Sequence, residues 1–268
     1  MDKKLIAIDL DGTTLNSESK VSQKTINTLN KVIDLGHVVN IVSGRPPRLI
    51  TDIYNQIGLD NPLISFNGSL GYNPLTDWNK AYEYNIDRDI VFEVLRQDKD
   101  LGINLMAVEG KELFLANREA NDEVGFFPTS LEPSEFITKE NLNENPICLT
   151  LQIQHNKMDK FINYVDRNYG DTLQISPWGG PDSIVELASK DVSKETGLEV
   201  LSDYYNIDQS NIIAFGDEFN DETMLKYAGL GVAMKNGQPK IKQLADDVTK
   251  YDNDNDGLAR YLDEYFEL

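Results

Sequence analysis

The sequence predicts an α/β fold, a doubly wound parallel sheet interrupted by an inserted α+β segment. Three observations predict it. Over residues 3–68, short apolar runs of strand length alternate with stretches of helical spacing. From about Asn79 that rhythm breaks into strands arranged as hairpin-like pairs, and from about Val192 it returns. Strand, helix, strand at this pace implies right-handed parallel crossovers.

The first strand is the run Leu5, Ile6, Ala7, Ile8, which ends in two carboxylates, Asp9 and Asp11. Alternation along a strand places both on one face, and Gly12 lets the chain turn directly after them. Two like charges so close at the end of a buried strand repel each other, a cost that a divalent cation or a proton would relieve. Solvated aspartates in a strand-to-helix turn are the structural alternative. Residues 23–36 have helical spacing (Ile26, Leu29, Val32, Ile33) and stop at Gly36. A second strand covers 37–43, a helix with proline in its first turn covers 46–58, and a third strand covers 62–68.

In the middle of the chain, a strand leads into a helix before residue 102. Residues 103–116 predict a hairpin around Glu109, Gly110 and Lys111. The polar stretch 117–146 carries no clear pattern. A strand at 147–154, a helix at 157–170 and two strands in 171–189 follow, so helix-then-two-strands occurs twice. After Val192 come a helix from Lys194, a strand at 211–217, a helix at 221–229 and a strand at 230–234. The core is therefore expected to be discontinuous, residues 1–80 with 189–268, around an inserted domain of residues 81–188.

Bulk properties narrow the function. The 268 residues are 40% hydrophobic and 26% charged, enough for one large domain or two smaller ones. The net charge of −20 argues against a nucleic-acid partner bound through a basic surface. No apolar run reaches the roughly 18 residues of a membrane span, and the N-terminus lacks the apolar stretch of a secretory signal. The lone cysteine, Cys148, sits in an apolar strand and forms no internal disulfide, so a cytoplasmic location is expected.

Ligands of open parallel sheets sit beyond the carboxyl ends of the strands. Four polar features fall at such ends: Asp9 with Asp11; Ser43, Gly44 and Arg45; Asn67 with Gly68; and Gly216, Asp217, Asn220 and Asp221. Each has a plainer structural reading as well. Serine before glycine is commonly a helix cap, Asn-Gly a turn, and an acidic cluster an N-cap.

The segments DLDGTTL (9–15), SGR (43–45), Lys194 in VSKETGL and FGDEFND (215–221) resemble, in order, the four motifs of the haloacid dehalogenase (HAD) superfamily of phosphatases. With the insertion, the resemblance is to its Cof-type subclass IIB and covers nearly the whole chain. It implies a Rossmann-like core, an α/β cap that chooses the substrate, Mg²⁺ as cofactor, and hydrolysis of small phosphate monoesters such as sugar phosphates. Asp9 is then the candidate nucleophile, forming an aspartyl-phosphate. Asp11 would protonate the leaving alcohol and deprotonate the attacking water, its neighbours' charge keeping it protonated until the metal binds. Lys194 would neutralise the nucleophile and the phosphoryl group. The implied phosphate contacts are Leu10, Thr13, Ser43, Gly44, Arg45, Asn67, Lys194 and Asn220. The implied metal set is Asp9, Asp217, Asp11 through its main-chain carbonyl, and Asp221, directly or by orienting a metal-bound water. One departure stands out: the glycine usual after the third-motif lysine is Glu195. A phosphosugar mutase of the same fold and a non-catalytic phosphometabolite-binding module are the alternatives.

Two other stretches carry partial signals. Residues 252–263 partly fit a calcium loop, with Asp252, Asp254, Asp256, Gly257 and Asp263 at ligand-like positions. A capped C-terminal helix is the favoured expectation there. Trp178, Gly179 and Gly180 form a turn in the inserted domain that would suit a substrate entrance or an exposed loop.

Overall fold

The structure is a computed structural model that describes residues 2–120, 127–178 and 183–268. In chain order it forms β1 (Leu5–Ile8), α1 (Gln23–Asp34), β2 (Val38–Ile41), α2 (Thr51–Ile57), β3 (Leu63–Ser65), β4 (Leu70–Tyr72) and β5 (Tyr82–Glu83). Next come α3 (Arg88–Arg96), α4 (Asp98–Leu101), β6 (Ile103–Glu109), β7 (Phe114–Ala116), β8 (Cys148–Ile153), α5 (Met158–Tyr169), β9 (Leu173–Pro177) and β10 (Ile184–Ser189). The last part comprises α6 (Lys194–Tyr205), β11 (Ile212–Gly216), α7 (Glu222–Tyr227), β12 (Leu230–Ala233), α8 (Pro239–Leu244), β13 (Asp247–Val248) and α9 (Gly257–Phe266). The chain divides into two compact units: one runs up to Tyr82 and resumes at Ser193–Leu268, the other is Glu83–Val192.

The first unit is built on a parallel sheet of order β13-β12-β11-β1-β2. β1 lies at its centre, paired with β11 and β2 in registers that set Ile8 beside both Phe215 and Ile41. All four residues of β1 are fully buried, as a strand covered on both faces requires. At roughly 1.5–3 kcal/mol for each large apolar side chain, that burial fixes the strand whose end carries Asp9. Leu5, Ala7, Val38, Leu198, Leu201, Ile212 and Met224 share one core of this unit. α1 begins as its sequence predicts, with the Ser22 side chain accepting the Thr25 N–H at 3.0 Å.

Four expectations change in this unit. β1 stops at Ile8, and Leu10–Thr14 form a wide turn closed by the Leu15 N–H on the Leu10 carbonyl at 2.8 Å. Asp9 and Asp11 therefore do not share a strand face: tight turning at Gly12 overrides the period-2 pattern. The expected third strand is shorter than 62–68. β3 ends at Ser65, touches the parallel sheet through one bridge, Val42 to Ile64, and turns back to pair antiparallel with β4. The helix expected at 46–58 splits into a short turn, Pro47–Leu49, and α2. Finally, α8 and β13 extend the unit where no element was expected.

The second unit is an antiparallel sheet of order β7-β6-β8-β10-β9. The 103–116 hairpin is present as β6 and β7, with Val108 opposite Leu115. Helix-then-two-strands recurs as α3-β6-β7 and α5-β9-β10, with β8 between the two pairs. One face packs Met106, Val108, Leu149, Leu151, Val185 and Leu187 around Phe161 and Val165 of α5. Cys148 is buried in β8, where burial pushes its thiol well up, in keeping with a structural role. Gly179 and Gly180 lie outside the described residues, and Trp178 beside them is exposed. Among the described residues no helix is long and apolar enough to cross a membrane.

Candidate active site

Two strand ends, one turn and one helix start bring the predicted acids and the lysine together. Asp9 follows β1, Asp217 follows β11, Asp221 closes the turn after it, and Lys194 is the first residue of α6. Among the described residues, Asp9, Asp217 and Asp221 are the one acidic cluster that could hold a metal ion, with one oxygen from each lying within 4.8 Å of the others. Lys194 is fully buried, and its Nζ donates to Asp9 Oδ1 and to Asp221 Oδ1, each at 2.5 Å. A lysine in a helix's first turn is ordinarily solvated, so burial against two carboxylates marks it as part of a built charge constellation.

Asp221 uses both its oxygens within the protein. Oδ1 accepts from Lys194, and Oδ2 accepts the N–H groups of Asp217 at 2.8 Å and Glu218 at 3.0 Å. It thereby ties the turn carrying Asp217 to the lysine. Asp217 accepts the Thr13 hydroxyl at 3.1 Å, and the Thr14 hydroxyl donates to the Asp9 carbonyl at 2.5 Å. Gly12, at φ +70°, has no room for a side chain: a Cβ there would sit 2.2 Å from Asp217 Oδ2. The glycine after the acidic pair thus serves close approach as well as turning.

The electrostatics follow from crowding. Burial pushes Asp9 well above the ordinary carboxylate range; Lys194 opposes this, and Asp221 and Asp217 add to it. The carboxylates pressing on Asp9 are thus Asp221 and Asp217 rather than the neighbouring Asp11 on which the sequence drew attention. Burial likewise raises Asp217 from 3.8 to about 7, helped by Asp221 and resisted by Thr13 and Lys194. Burial alone would discharge Lys194, but Asp221 and Asp9 outweigh it and push its pKa up, so it stays an ammonium. Three buried or half-buried carboxylates facing one cation leave excess negative charge. An all-oxygen, carboxylate-rich donor set of that kind suits a hard divalent cation.

Asp11 lies apart from this cluster. Its two oxygens accept from Arg45, Nε at 2.7 Å and Nη2 at 2.5 Å. Ser43 is buried with its hydroxyl accepting the Arg45 N–H at 3.2 Å. Leu10 is buried, its carbonyl closing the turn. Gly44 abuts Asn67, since a Cβ there would meet Asn67 Oδ1 at 2.8 Å. Asn67 Oδ1 in turn accepts from Asn220 Nδ2 at 2.9 Å. The Asn67-Gly68 turn touches the start of α6, because a Cβ on Gly68 (φ +105°) would fall 2.0 Å from the Ser193 carbonyl.

Sequence reasoning missed the supports of this site. Asn236 Nδ2 donates to the Gly12 carbonyl at 2.7 Å, and Asn236 Oδ1 accepts the Asn253 N–H at 3.1 Å. Asn253 Nδ2 reaches the Leu15 carbonyl at 2.9 Å, and Asp254 accepts the Ser17 N–H at 2.7 Å. The calcium-like segment is therefore a brace on the first-motif turn. Its acids serve separate partners: Asp252 the Asn255 N–H, Asp256 the Ser22 hydroxyl, Asp263 Lys24 and Thr28. Its Asn/Asp-rich composition before Asp256 and Gly257 was the available signal; nothing in the sequence pointed to Asn236.

A parallel α/β unit with this constellation at its strand ends defines a phosphoryl-transfer hydrolase. The chain belongs to the haloacid dehalogenase-like hydrolases: the model of that family matches residues 6–262, and the chain is a phosphatase of the HAD superfamily. It is 32% identical, over 98% of each chain, to the Bacillus subtilis 5-amino-6-(5-phospho-D-ribitylamino)uracil phosphatase YitU. Among solved structures it resembles the HAD phosphatase BT1666 of Bacteroides thetaiotaomicron, with TM-score 0.79 and 26% identity over 99% of this chain and 96% of that one. The fold is also that of the subclass IIB sugar phosphatase BT4131, with TM-score 0.79 and 20% identity over 99% and 100% of the two chains.

Proposed function

We propose that this phosphatase is Mg²⁺-dependent and hydrolyses small phosphate monoesters, sugar phosphates or related metabolites, through an aspartyl-phosphate on Asp9. The observation that carries this reading is the buried Lys194 bridging Asp9 and Asp221 beside Asp217. Asp9 and Asp217 would hold the ion directly and Asp11 through its main-chain carbonyl, while Asp221 would bind it directly or orient a metal-bound water, and orients Lys194. When present, Mg²⁺ neutralises the phosphoryl oxygens and screens the carboxylate nucleophile from its anionic target.

The chain's own residues then act in two half-reactions. An Asp9 oxygen forms the new O–P bond as the ester P–O bond breaks, and the leaving oxygen takes the electron pair and a proton from Asp11. Asp11 next takes a proton from water as the water attacks phosphorus, and the Asp9 acyl-phosphate bond breaks to release inorganic phosphate. Lys194 stabilises the charge on Asp9 and on the transferring group. The Ser43 hydroxyl, whose oxygen accepts the Arg45 N–H, keeps its own proton for a phosphate oxygen. Asn67, Asn220 and the main chain at Leu10, Thr13 and Gly44 complete the donor set, the Thr13 hydroxyl being engaged with Asp217. Residues 81–188 serve in this reading as the cap that selects substrate, and 1–80 with 189–268 as the catalytic core.

The test is phosphate release from p-nitrophenyl phosphate and from a panel of phosphorylated metabolites that includes 5-amino-6-(5-phospho-D-ribitylamino)uracil. Activity is expected to require Mg²⁺, to vanish with a chelator and to be lost in Asp9→Asn. Undiminished turnover by Asp9→Asn would refute the nucleophile assignment.

A further inference from the structure

We propose that Arg45 is a positioning residue for Asp11, rather than a donor to the substrate's phosphate. Its guanidinium fork aims the Asp11 carboxylate for proton transfer. The inference rests on the phosphatase reading above and adds to it.

The geometry separates the two roles. Arg45 spends Nε and Nη2 on the two Asp11 oxygens, at 2.7 and 2.5 Å, in the bidentate arrangement that fixes a carboxylate's plane as well as its place. Nη1 is turned toward the Leu49 carbonyl at 3.4 Å. Each nitrogen of the fork therefore faces a protein acceptor. The arginine is anchored on its main-chain side too: its N–H donates to Ser43 Oγ at 3.2 Å, and its carbonyl accepts the Phe66 N–H at 3.3 Å. Its side chain is 19% exposed, whereas that of Asp11 is 60% exposed.

Asp11 needs such a support. It sits in a turn with φ −72° and ψ 125°, just before the positive-φ Gly12, where no regular element holds its side chain. A half-solvated carboxylate on a turn samples several rotamers, and general acid–base catalysis needs it in one. Asp9, by contrast, is buried and gripped by Lys194. The two aspartates are thus held by two different cations, one for the nucleophile and one for the proton carrier.

The role predicts leaving-group dependence. p-Nitrophenolate departs with little need of a proton, while phenolate departs with much more. The kcat/KM ratio of p-nitrophenyl phosphate to phenyl phosphate is expected to rise about tenfold in Arg45→Ala, part of the roughly 10²–10⁴ that a positioned general acid supplies. Asp11→Asn should raise the same ratio at least as much. The double variant should show no further rise, because residues acting as one unit are not additive. Arg45→Lys, which offers one donor in place of a fork, should fall between wild type and Arg45→Ala. Equal losses on both esters in Arg45→Ala, with the ratio unchanged and KM raised, would overturn the proposal in favour of phosphate binding. A rise in ratio that persists when Arg45→Ala is added to Asp11→Asn would overturn it as well. The phosphatase reading is judged separately, by whether the wild type hydrolyses both esters with Mg²⁺ and loses both in Asp9→Asn.

Discussion

Lys194 is the residue on which the site's charge balance turns. It lies in a fully buried position between Asp9 and Asp221, and burying a cation there is favourable only because both carboxylates meet it. Replacing it with methionine keeps most of the side-chain volume and removes the charge. Two buried carboxylates then face each other with Asp217 nearby, and Lys194→Met is expected to cost about 3–5 kcal/mol, the range for breaking a buried pair, as well as phosphatase activity. Denaturant melts check the first and phosphate release the second. Lys194→Met should regain stability when Asp221→Asn is added, since the second change removes one of the stranded charges. A melt of Lys194→Met that matches wild type would show the lysine to be dispensable for holding the acids.

At the scale of elements, the start of α6 is set by the turn after β3. Gly68 passes so close to the Ser193 carbonyl that any Cβ there must move the helix start or the turn, and its φ of +105° disfavours other residues besides. Gly68→Ala is therefore expected to lower both thermal stability and kcat, because the shifted helix carries Lys194 away from Asp9 and Asp221. If activity survives while stability falls, the turn and the lysine are uncoupled. The same elements explain what the sequence disclosed and what it hid. β1, β2, β11 and β12 are apolar runs buried on both faces, a pattern that composition alone displays, and the charged groups at their ends are conspicuous by contrast. β4, β13 and the shortness of β3 were hidden because two- and three-residue strands have no measurable period. The parting of Asp9 from Asp11 was hidden for a different reason: it depends on a turn whose geometry is set by Asp217, more than 200 residues away in sequence. Asn236 was invisible because a single side-chain bond to a carbonyl leaves no pattern around it.

Over the whole molecule, a formal charge of −20 makes the acidic cluster a liability unless a cation relieves it. Asp217 titrates at about 7 in the fold against an ordinary 3.8, chiefly through burial. The metal-free fold thus holds a proton that the unfolded chain has already released across that interval. This stabilising contribution is complete below about 3.8 and is lost as the pH rises through 7. In the presence of a chelator, the unit carrying the site should therefore melt at progressively lower temperature between pH 5 and pH 8, as far as this group decides it. Mg²⁺ binds the ionised carboxylates, so its stabilising effect has the opposite slope, small at pH 5, where it must displace the proton, and full at pH 8. Saturation at 100-fold above Kd adds about 2.7 kcal/mol to the folded state, a shift of several degrees. Screening of the general acidic repulsion must be separated from this, so each Mg²⁺ melt is compared with NaCl of equal ionic strength. Asp217→Asn should flatten the pH dependence seen with chelator and abolish the increment specific to Mg²⁺, while leaving the NaCl effect in place. If the Mg²⁺ increment is the same at pH 5 and pH 8, or survives in Asp217→Asn, then this carboxylate is not where the ion and the proton compete.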